Sequence, residues 1–338
     1  MLHINTEAYI YPISRKDLVV RIRCAKKDMK ECSVIYWSRT TPEAKKQLTM
    51  ECVQSDELFD YYETTLNFSK VARYQKYYFL LKDNQGYQMY YSVNGFSTEE
   101  PEDGHFEYLY ANGNDVVKVP EWAKGIIYYQ IFPERFSDGD SSNNEPDTMA
   151  WGTIPTRENY MGGDLAGIHK QIPYLKDLGI ECLYLNPIFE AHANHRYNTA
   201  DYMRVDPDLG TMEDFTQLCS EAHNRGISII LDGVFSHTGS DSVYFNKEGR
   251  YGNGGAYHDP ESPYRPWFDF DKRYDHGYRS WWGFPTLPDV DELNKDYLNY
   301  ICGKGGVINY WLKSGADGFR LDVADELPDE FIEKVRRA

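Results

Sequence analysis

Two charged residues two positions apart, Arg320 and Asp322 in the stretch GADGFRLDVADE, could do chemistry together. Alternate side chains of an extended strand share a face, so the guanidinium and the carboxylate stand side by side. A neighbouring cation favours the ionised form of a carboxyl group, which is the form a nucleophilic carboxylate needs. The same spacing also suits a plain structural ion pair. A second run, LDGVFSH, sets Asp232 and His237 at the end of another apolar stretch, and two such polar strand ends together favour a site. A third group is Asp138, Asp140, Asn143 and Asn144 in SDGDSSNN, with Gly162 and Asp164 in MGGDL. It offers the carboxylate, amide and backbone oxygens that hard cations such as Ca²⁺ take, although clusters of this kind are also common as solvated turns.

These residues need a scaffold that brings strand ends to one place. Residues 1–118 read as short alternating segments, LVVRIRCA, CSVIYWSR, ELFDYYETTLNF, KYYFLLKD and YQMYYSVNGF, separated by turns such as DNQG, which is the pattern of a β-sandwich. After ANGNDVVKVPEWAKG the period changes. In residues 119–338 the continuous apolar runs GIIYYQIF, IECLYLNP, ISIILDGV and ADGFRLDV alternate with amphipathic stretches of helical spacing. One helical stretch is expected over ELNKDYLNYICGKGGVINYWLKSG. Four successive βα units fit a parallel barrel or a doubly wound sheet, and an excursion over about 235–290, rich in Gly, Pro, Tyr and Trp, is long enough to be functional. In a βα barrel the site lies where strands end and loops begin, which is where Asp232, His237, Arg320 and Asp322 fall.

Composition narrows the partners. A formal net charge of −17 opposes binding to a nucleic-acid backbone or an anionic membrane, and favours a neutral ligand. The absence of a long apolar run and of an export signal leads us to expect a soluble, cytoplasmic protein. The six cysteines lack metal-like spacing and sit mostly in apolar runs, so buried free thiols are expected.

The strings YQIFPERFSDGD, MGGDLAGI, LYLNPIFEAHANHRYNTADY, LDGVFSH and GADGFRLDVADE resemble, in order, successive motifs of the α-amylase family of glycoside hydrolases. They are most similar to its neopullulanase, cyclomaltodextrinase and maltogenic amylase branch. The resemblance implies an N-terminal β-sandwich of starch-binding-like type, followed by the first half of a (β/α)8 TIM barrel with a loop-rich domain inserted after the third strand. It implies a retaining hydrolase of α-1,4-glucosidic bonds in maltooligosaccharides, cyclodextrins or pullulan, its two carboxyl groups roughly 5–5.5 Å apart. Carried over, Asp322 is the nucleophile and Arg320 holds it in place. Asp232 and His237 support the adjoining sugar site, Tyr197 is the aromatic on which the ring stacks, and His195 lies two residues before it. Glu326 matches the branch residue beside the acceptor sites, although Asp325 stands where the branch has Asn. Trp267, Trp281 and Trp282 would wall the cleft or pack in the core. The six oxygen-bearing residues Asp138, Asp140, Asn143, Asn144, Gly162 and Asp164 are similar to a structural calcium loop. Ser236 stands where the family has an Asn before its His, so no metal is expected there. The family's general acid, a Glu ending the fifth strand, and its further Asp, ending the seventh, have no counterpart in these residues. A C-terminally truncated, catalytically incomplete chain is therefore expected, the alternative being a non-catalytic α-glucan-binding protein or decayed gene product. In this branch the N-terminal module also suggests a homodimer.

Overall fold

The structure, a computed structural model, describes residues 1–113, 116 and 118–338. Asn114, Asp115 and Val117, in the stretch where the sequence pattern changes, lie outside the described residues. Two compact units form, Met1–Lys124 and Gly125–Ala338, against the 118/119 division read from the sequence.

Among the described residues the first unit holds nine strands: β1 (Ile10–Ser14), β2 (Asp17–Ala25), β3 (Met29–Ser38), β4 (Lys46–Ser55), β5 (Phe59–Asn67), β6 (Arg73–Asp83), β7 (Gln88–Ser92), β8 (Gly95–Ser97) and β9 (Phe106–Tyr110). They run in the order β1-β2-β5-β4-β3-β6-β7-β8, with β9 also on β6, and all pairings are antiparallel. Leu18, Val20, Ile22 and Cys24 alternate into the core from β2, and Tyr77, Phe79 and Leu81 do so from β6. Burying each such side chain contributes roughly 1.5–3 kcal/mol. Strand β4 was not foreseen because it is mostly exposed and polar, with Met50 its one buried residue, so no alternation marks it. It spans the sheet by pairing with β3 through Lys46–Met50 and with β5 beyond, across a bulge at Cys52/Gln54. YQMYYSVNGF is two strands, not one, since the chain reverses so that Ser92 faces Gly95.

The second unit contains β10 (Tyr128–Ile131), α1 (Leu165–Asp177), β11 (Cys182–Leu185), β12 (Phe189–Ala191), β13 (Thr199–Val205), α2 (Met212–Asn224), β14 (Ser228–Gly233), α3 (Lys295–Cys302), α4 (Val307–Lys313), β15 (Gly318–Leu321) and α5 (Asp329–Arg337). The four apolar runs form one parallel sheet in the order β10-β11-β14-β15. Every residue of β11 is buried, as a strand covered on both faces requires. The antiparallel pair β12-β13 lies in the loop that follows β11. The single helix expected over 292–315 is two: α3 stops at Cys302 and α4 begins at Val307. A Cβ on Gly303 would lie 2.3 Å from the Asn299 carbonyl oxygen, and one on Gly306 2.4 Å from that of Tyr300, so this tight reversal needs glycine at both. The cysteines also depart from expectation. All six are free, but Cys52 is exposed and Cys302 half-buried. Among the described residues no helix is long and apolar enough to cross a membrane.

Candidate functional site

Register decides which strand ends meet. Asp232 on β14 and Arg320 on β15 are direct partners in the parallel ladder, so their side chains leave the same face next to each other. Arg320 Nη1 donates to Asp232 Oδ1 at 2.9 Å and to Asp322 Oδ1 at 2.7 Å. One guanidinium nitrogen therefore bridges two carboxylates, one on β14 and one just past the end of β15. Asp232 is fully buried at its side chain, whereas that of Asp322 keeps 15 % of its surface accessible. Accessibility separates their roles. Asp322 can be approached; Asp232 cannot. The Asp322 N–H is held by the Gly233 carbonyl at 3.1 Å, and Val323, immediately after it, has φ +44°. A β-branched residue in the left-handed region is strained, and such strain concentrates at functional sites.

The other oxygen of Asp232 is equally occupied. Tyr184 on β11 donates its hydroxyl to Oδ2 at 2.5 Å, and Tyr197 from the β12-β13 loop donates at 2.9 Å. Burial pushes the Asp232 carboxyl above its ordinary range, opposed by hydrogen bonds from Tyr184, Arg320 and Tyr197. The Tyr197 phenol is pushed up to about 12, first by burial and then by the Asp232 charge. Asn186 Nδ2 donates to the Tyr197 oxygen at 2.9 Å, and Gln130 Nε2 to the Asn186 oxygen at 2.9 Å. A polar chain thus runs from β10 through β11 to the Tyr197 loop. Tyr184, Asn186 and Gln130 were not foreseen as site residues. The available signal was a phenol and two amides in strands that otherwise read as apolar.

His237 is buried, with Nε2 bonded to the Tyr197 carbonyl at 3.1 Å and Nδ1 paired with Ser236 Oγ at 3.0 Å. Burial lowers its pKa, the bond to Tyr197 working the other way, so a neutral ring is favoured. It packs against Trp281 at 5.5 Å between centroids. Trp281 stacks with Trp282, and their indole N–H groups donate to the two oxygens of Glu326 at 2.9 and 3.0 Å. The structure thus joins Glu326 to two of the three tryptophans. Trp267 is not on this wall; it is buried in the core against Tyr244, Tyr297 and Tyr300. His195 is exposed, and its Nδ1 accepts the Tyr197 N–H at 3.1 Å, which leaves the proton on Nε2. Between them Arg196, fully buried and at φ +59°, is tied to Asp206 at 3.1 Å and to the Asn194 carbonyl at 2.8 Å. That anchor fixes the loop from which Tyr197 reaches Asp232.

The oxygen-rich loop lies against the start of α1. Asp164 caps this helix through Gly167 N–H at 2.5 Å and also accepts from Gly139 and Asp140 N–H at 3.1 and 2.7 Å. Asp140 accepts from the Ser142 hydroxyl and N–H. Asn144 Nδ2 donates to Asp138 Oδ2 at 3.0 Å, while Asn143 Oδ1 and Asn144 Oδ1 are buried without a hydrogen-bond partner. At Gly162, φ +75°, a Cβ would come within 2.6 Å of Asn144 Oδ1. Among the described residues no three His, Cys, Asp or Glu side chains converge as a metal set. The two orphaned amide oxygens, with the charge of Asp138 close by, nevertheless suit a hard cation.

The family model described as alpha amylase, catalytic domain, matches residues 130–337, and that for the alpha amylase N-terminal ig-like domain matches residues 1–112. The chain is 38 % identical to neopullulanase 2 of Thermoactinomyces vulgaris, covering 100 % of this chain and 57 % of that protein. It is 35 % identical to a cyclomaltodextrinase of Thermoanaerobacter pseudethanolicus, covering 99 % and 58 %. Among solved structures, a cyclomaltodextrinase superposes with a TM-score of 0.76 at 32 % identity, covering 99 % of this chain and 57 % of its own. The chain therefore spans less than three fifths of the length of these relatives.

Proposed function

Since this chain belongs to the α-amylase family of glycoside hydrolases, with both the N-terminal ig-like and the catalytic domain of that family, we propose that it carries the nucleophile half of a retaining α-glucan hydrolase. Its substrates would be those of the neopullulanase, cyclomaltodextrinase and maltogenic amylase type. The observation that carries this reading is the bridge from Arg320 to buried Asp232 and accessible Asp322. Asp322 attacks the anomeric carbon, and Arg320 orients it. Asp232 is the fixed anion that aims both Arg320 and the Tyr197 hydroxyl; Tyr197 and His237 form the floor beneath the sugar. Trp281, Trp282 and Glu326 face the acceptor. The four parallel strands are, in this reading, the first half of an eight-stranded barrel, and the segment at about 235–290 is its inserted domain. No residue of 1–338 is proposed as the general acid. We also propose that Asp138, Asp140, Asn143, Asn144 and Asp164, with the Gly162 carbonyl, hold a structural Ca²⁺ that would stiffen the loop against α1. The N-terminal unit is proposed to mediate a homodimer.

A fluoride leaving group needs no proton, so a nucleophile without its acid can still be tested. With α-maltosyl fluoride the bond from an Asp322 oxygen to the anomeric carbon forms as the C–F bond breaks and fluoride departs with the electron pair. Intact-protein mass spectrometry should show one maltosyl group attached at Asp322, and none in Asp322→Asn. No adduct on a chain that still binds maltohexaose would make it a binding protein rather than half of an enzyme.

A further inference from the structure

Two thiols that the site described above does not use meet inside the first unit. Cys24 on β2 and Cys32 on β3 are both wholly buried, and their sulfurs lie 3.9 Å apart. Three observations bear on what this contact can do. The first is topology. Strands β2 and β3 follow each other in the chain, yet β2 pairs with β1 and β5 while β3 pairs with β4 and β6. The two cysteines therefore meet through side-chain packing in the shared apolar core, and a bond between them would tie strands that no backbone ladder joins. The second is reach. The sulfurs are close to van der Waals contact, so rotation about the two Cα–Cβ bonds can carry them to bonding distance. The third is access. The hydrogen bond with Cys24, and then burial, push the Cys32 thiol far above its ordinary value, so it is protonated and unreactive while the core is closed. Cys24, however, is the next-to-last residue of β2, and Lys26, Lys27 and Asp28, which lead on towards β3, are all exposed. Asp56, Asp60 and Asn84 hold this turn through bonds at or near the surface, which water can replace. Fraying of the turn admits a small oxidant to the pair without global unfolding.

We propose that Cys24 and Cys32 form a reversible redox lock, converted by low-molecular-weight disulfides into a cystine that staples the first unit. One cysteine, as thiolate, attacks a sulfur of the oxidant; the oxidant's S–S bond breaks, and one thiolate leaves with the electron pair and takes up the proton the cysteine gave up. The second cysteine, as thiolate, attacks the protein sulfur of the mixed disulfide and releases the other half of the oxidant, again as a thiol. Two cysteines are oxidised and one small disulfide is reduced to two thiols. Closing the loop between two positions eight residues apart restricts the unfolded chain, so the oxidised form is the more stable. The test uses the 338-residue chain carrying Cys52→Ser and Cys302→Ser, which removes the exposed and half-buried thiols, incubated with oxidised glutathione under native conditions. Intact-protein mass spectrometry should show the loss of two hydrogens, and peptide mapping should find Cys24 joined to Cys32. Tm should rise by about 5–10 °C and fall back on addition of dithiothreitol. Cys24→Ala in the same background should take up one glutathione at most and show no such rise. Asn84→Ala, which loosens the turn, should speed the oxidation several-fold. A parent chain that keeps both thiols free after prolonged exposure would overturn the lock. So would a Cys24–Cys32 disulfide that leaves Tm unchanged or lowers it. Both results are read on the parent background alone and stand even where the alanine variant does not fold.

Discussion

Replacing Arg320 with methionine removes the cation that faces the fully buried Asp232 carboxylate. Asp232 Oδ1 loses its donor, while Oδ2 keeps the hydroxyls of Tyr184 and Tyr197. Breaking a wholly buried ion pair from one side costs about 3–5 kcal/mol. The Arg320 side chain is 39 % exposed, which discounts the loss to about 2–3 kcal/mol. For a unit of this size that corresponds to a fall in Tm of about 5–10 °C. In an Asp232→Asn background the fully buried charge is gone and only the partly accessible Asp322 loses its partner, so the same Arg320→Met change should cost about 1 kcal/mol, leaving a coupling of about 1–2 kcal/mol. A pH series supplies the second readout. Burial already raises the folded-state pKa of Asp232, so this group's contribution to stability is fully present below its unfolded value and is lost as pH rises through the folded one. Loss of the guanidinium raises the folded value further. The deficit of Arg320→Met should therefore be widest near neutral pH and shrink on acidification, as Asp232 takes up its proton. Thermal melts of the four proteins at several pH values measure both effects. Equal losses in the two backgrounds, or a deficit constant with pH, would refute the assignment of Asp232 as a buried anion held by Arg320.

Glu292 is raised to about 7, chiefly by burial, so it stabilises the fold at low pH and withdraws that contribution as pH rises from about 4.5 towards 7. Glu292→Gln should gain Tm over the parent chain across that interval and then hold a constant advantage, whereas a parallel pair of curves would sink the idea. Calcium should raise the Tm of the metal-stripped chain, and replacing both Asn143 and Asn144 with alanine should abolish the rise, since their unpartnered buried oxygens are the proposed ligands. Trp282 sits at φ +49°, ψ +24°. Glycine and alanine there lose the same indole bond to Glu326, but only glycine is at ease in that conformation, so Trp282→Gly should exceed Trp282→Ala in urea-unfolding stability by about 1 kcal/mol.

Legibility in the sequence followed physical cause. Strands β2, β3, β5 and β6 and the parallel strands β11 and β14 were readable because burial on one or both faces imposes a pattern on residue type, whereas β10 and β15 were read as apolar runs although β10 is mostly exposed and β15 half-buried. Strand β4 was not, because it is held by its neighbours' backbones and buries almost nothing. The break between α3 and α4 was written in Gly303, Gly305 and Gly306, yet helical spacing on both sides masked it. Trp267 and Trp282 are the same residue type in the same insertion; only packing sends one into the core and the other to the surface.

The sequence by itself determined the chemistry available: an Arg and an Asp on one face of a strand, a second Asp on another strand, a tyrosine and two histidines in loops, and a family signature around each. The family resemblance named Asp322 as the nucleophile, but residue types and spacing alone could not say which carboxylate is accessible, because that depends on contacts between residues far apart in the chain. Tertiary structure decided it. The β14-β15 register sets Asp232 against Arg320, and the hydroxyls of Tyr184 and Tyr197 close over its other oxygen, so Asp232 is spent on holding the site while Asp322, one residue past the end of β15, keeps a face open.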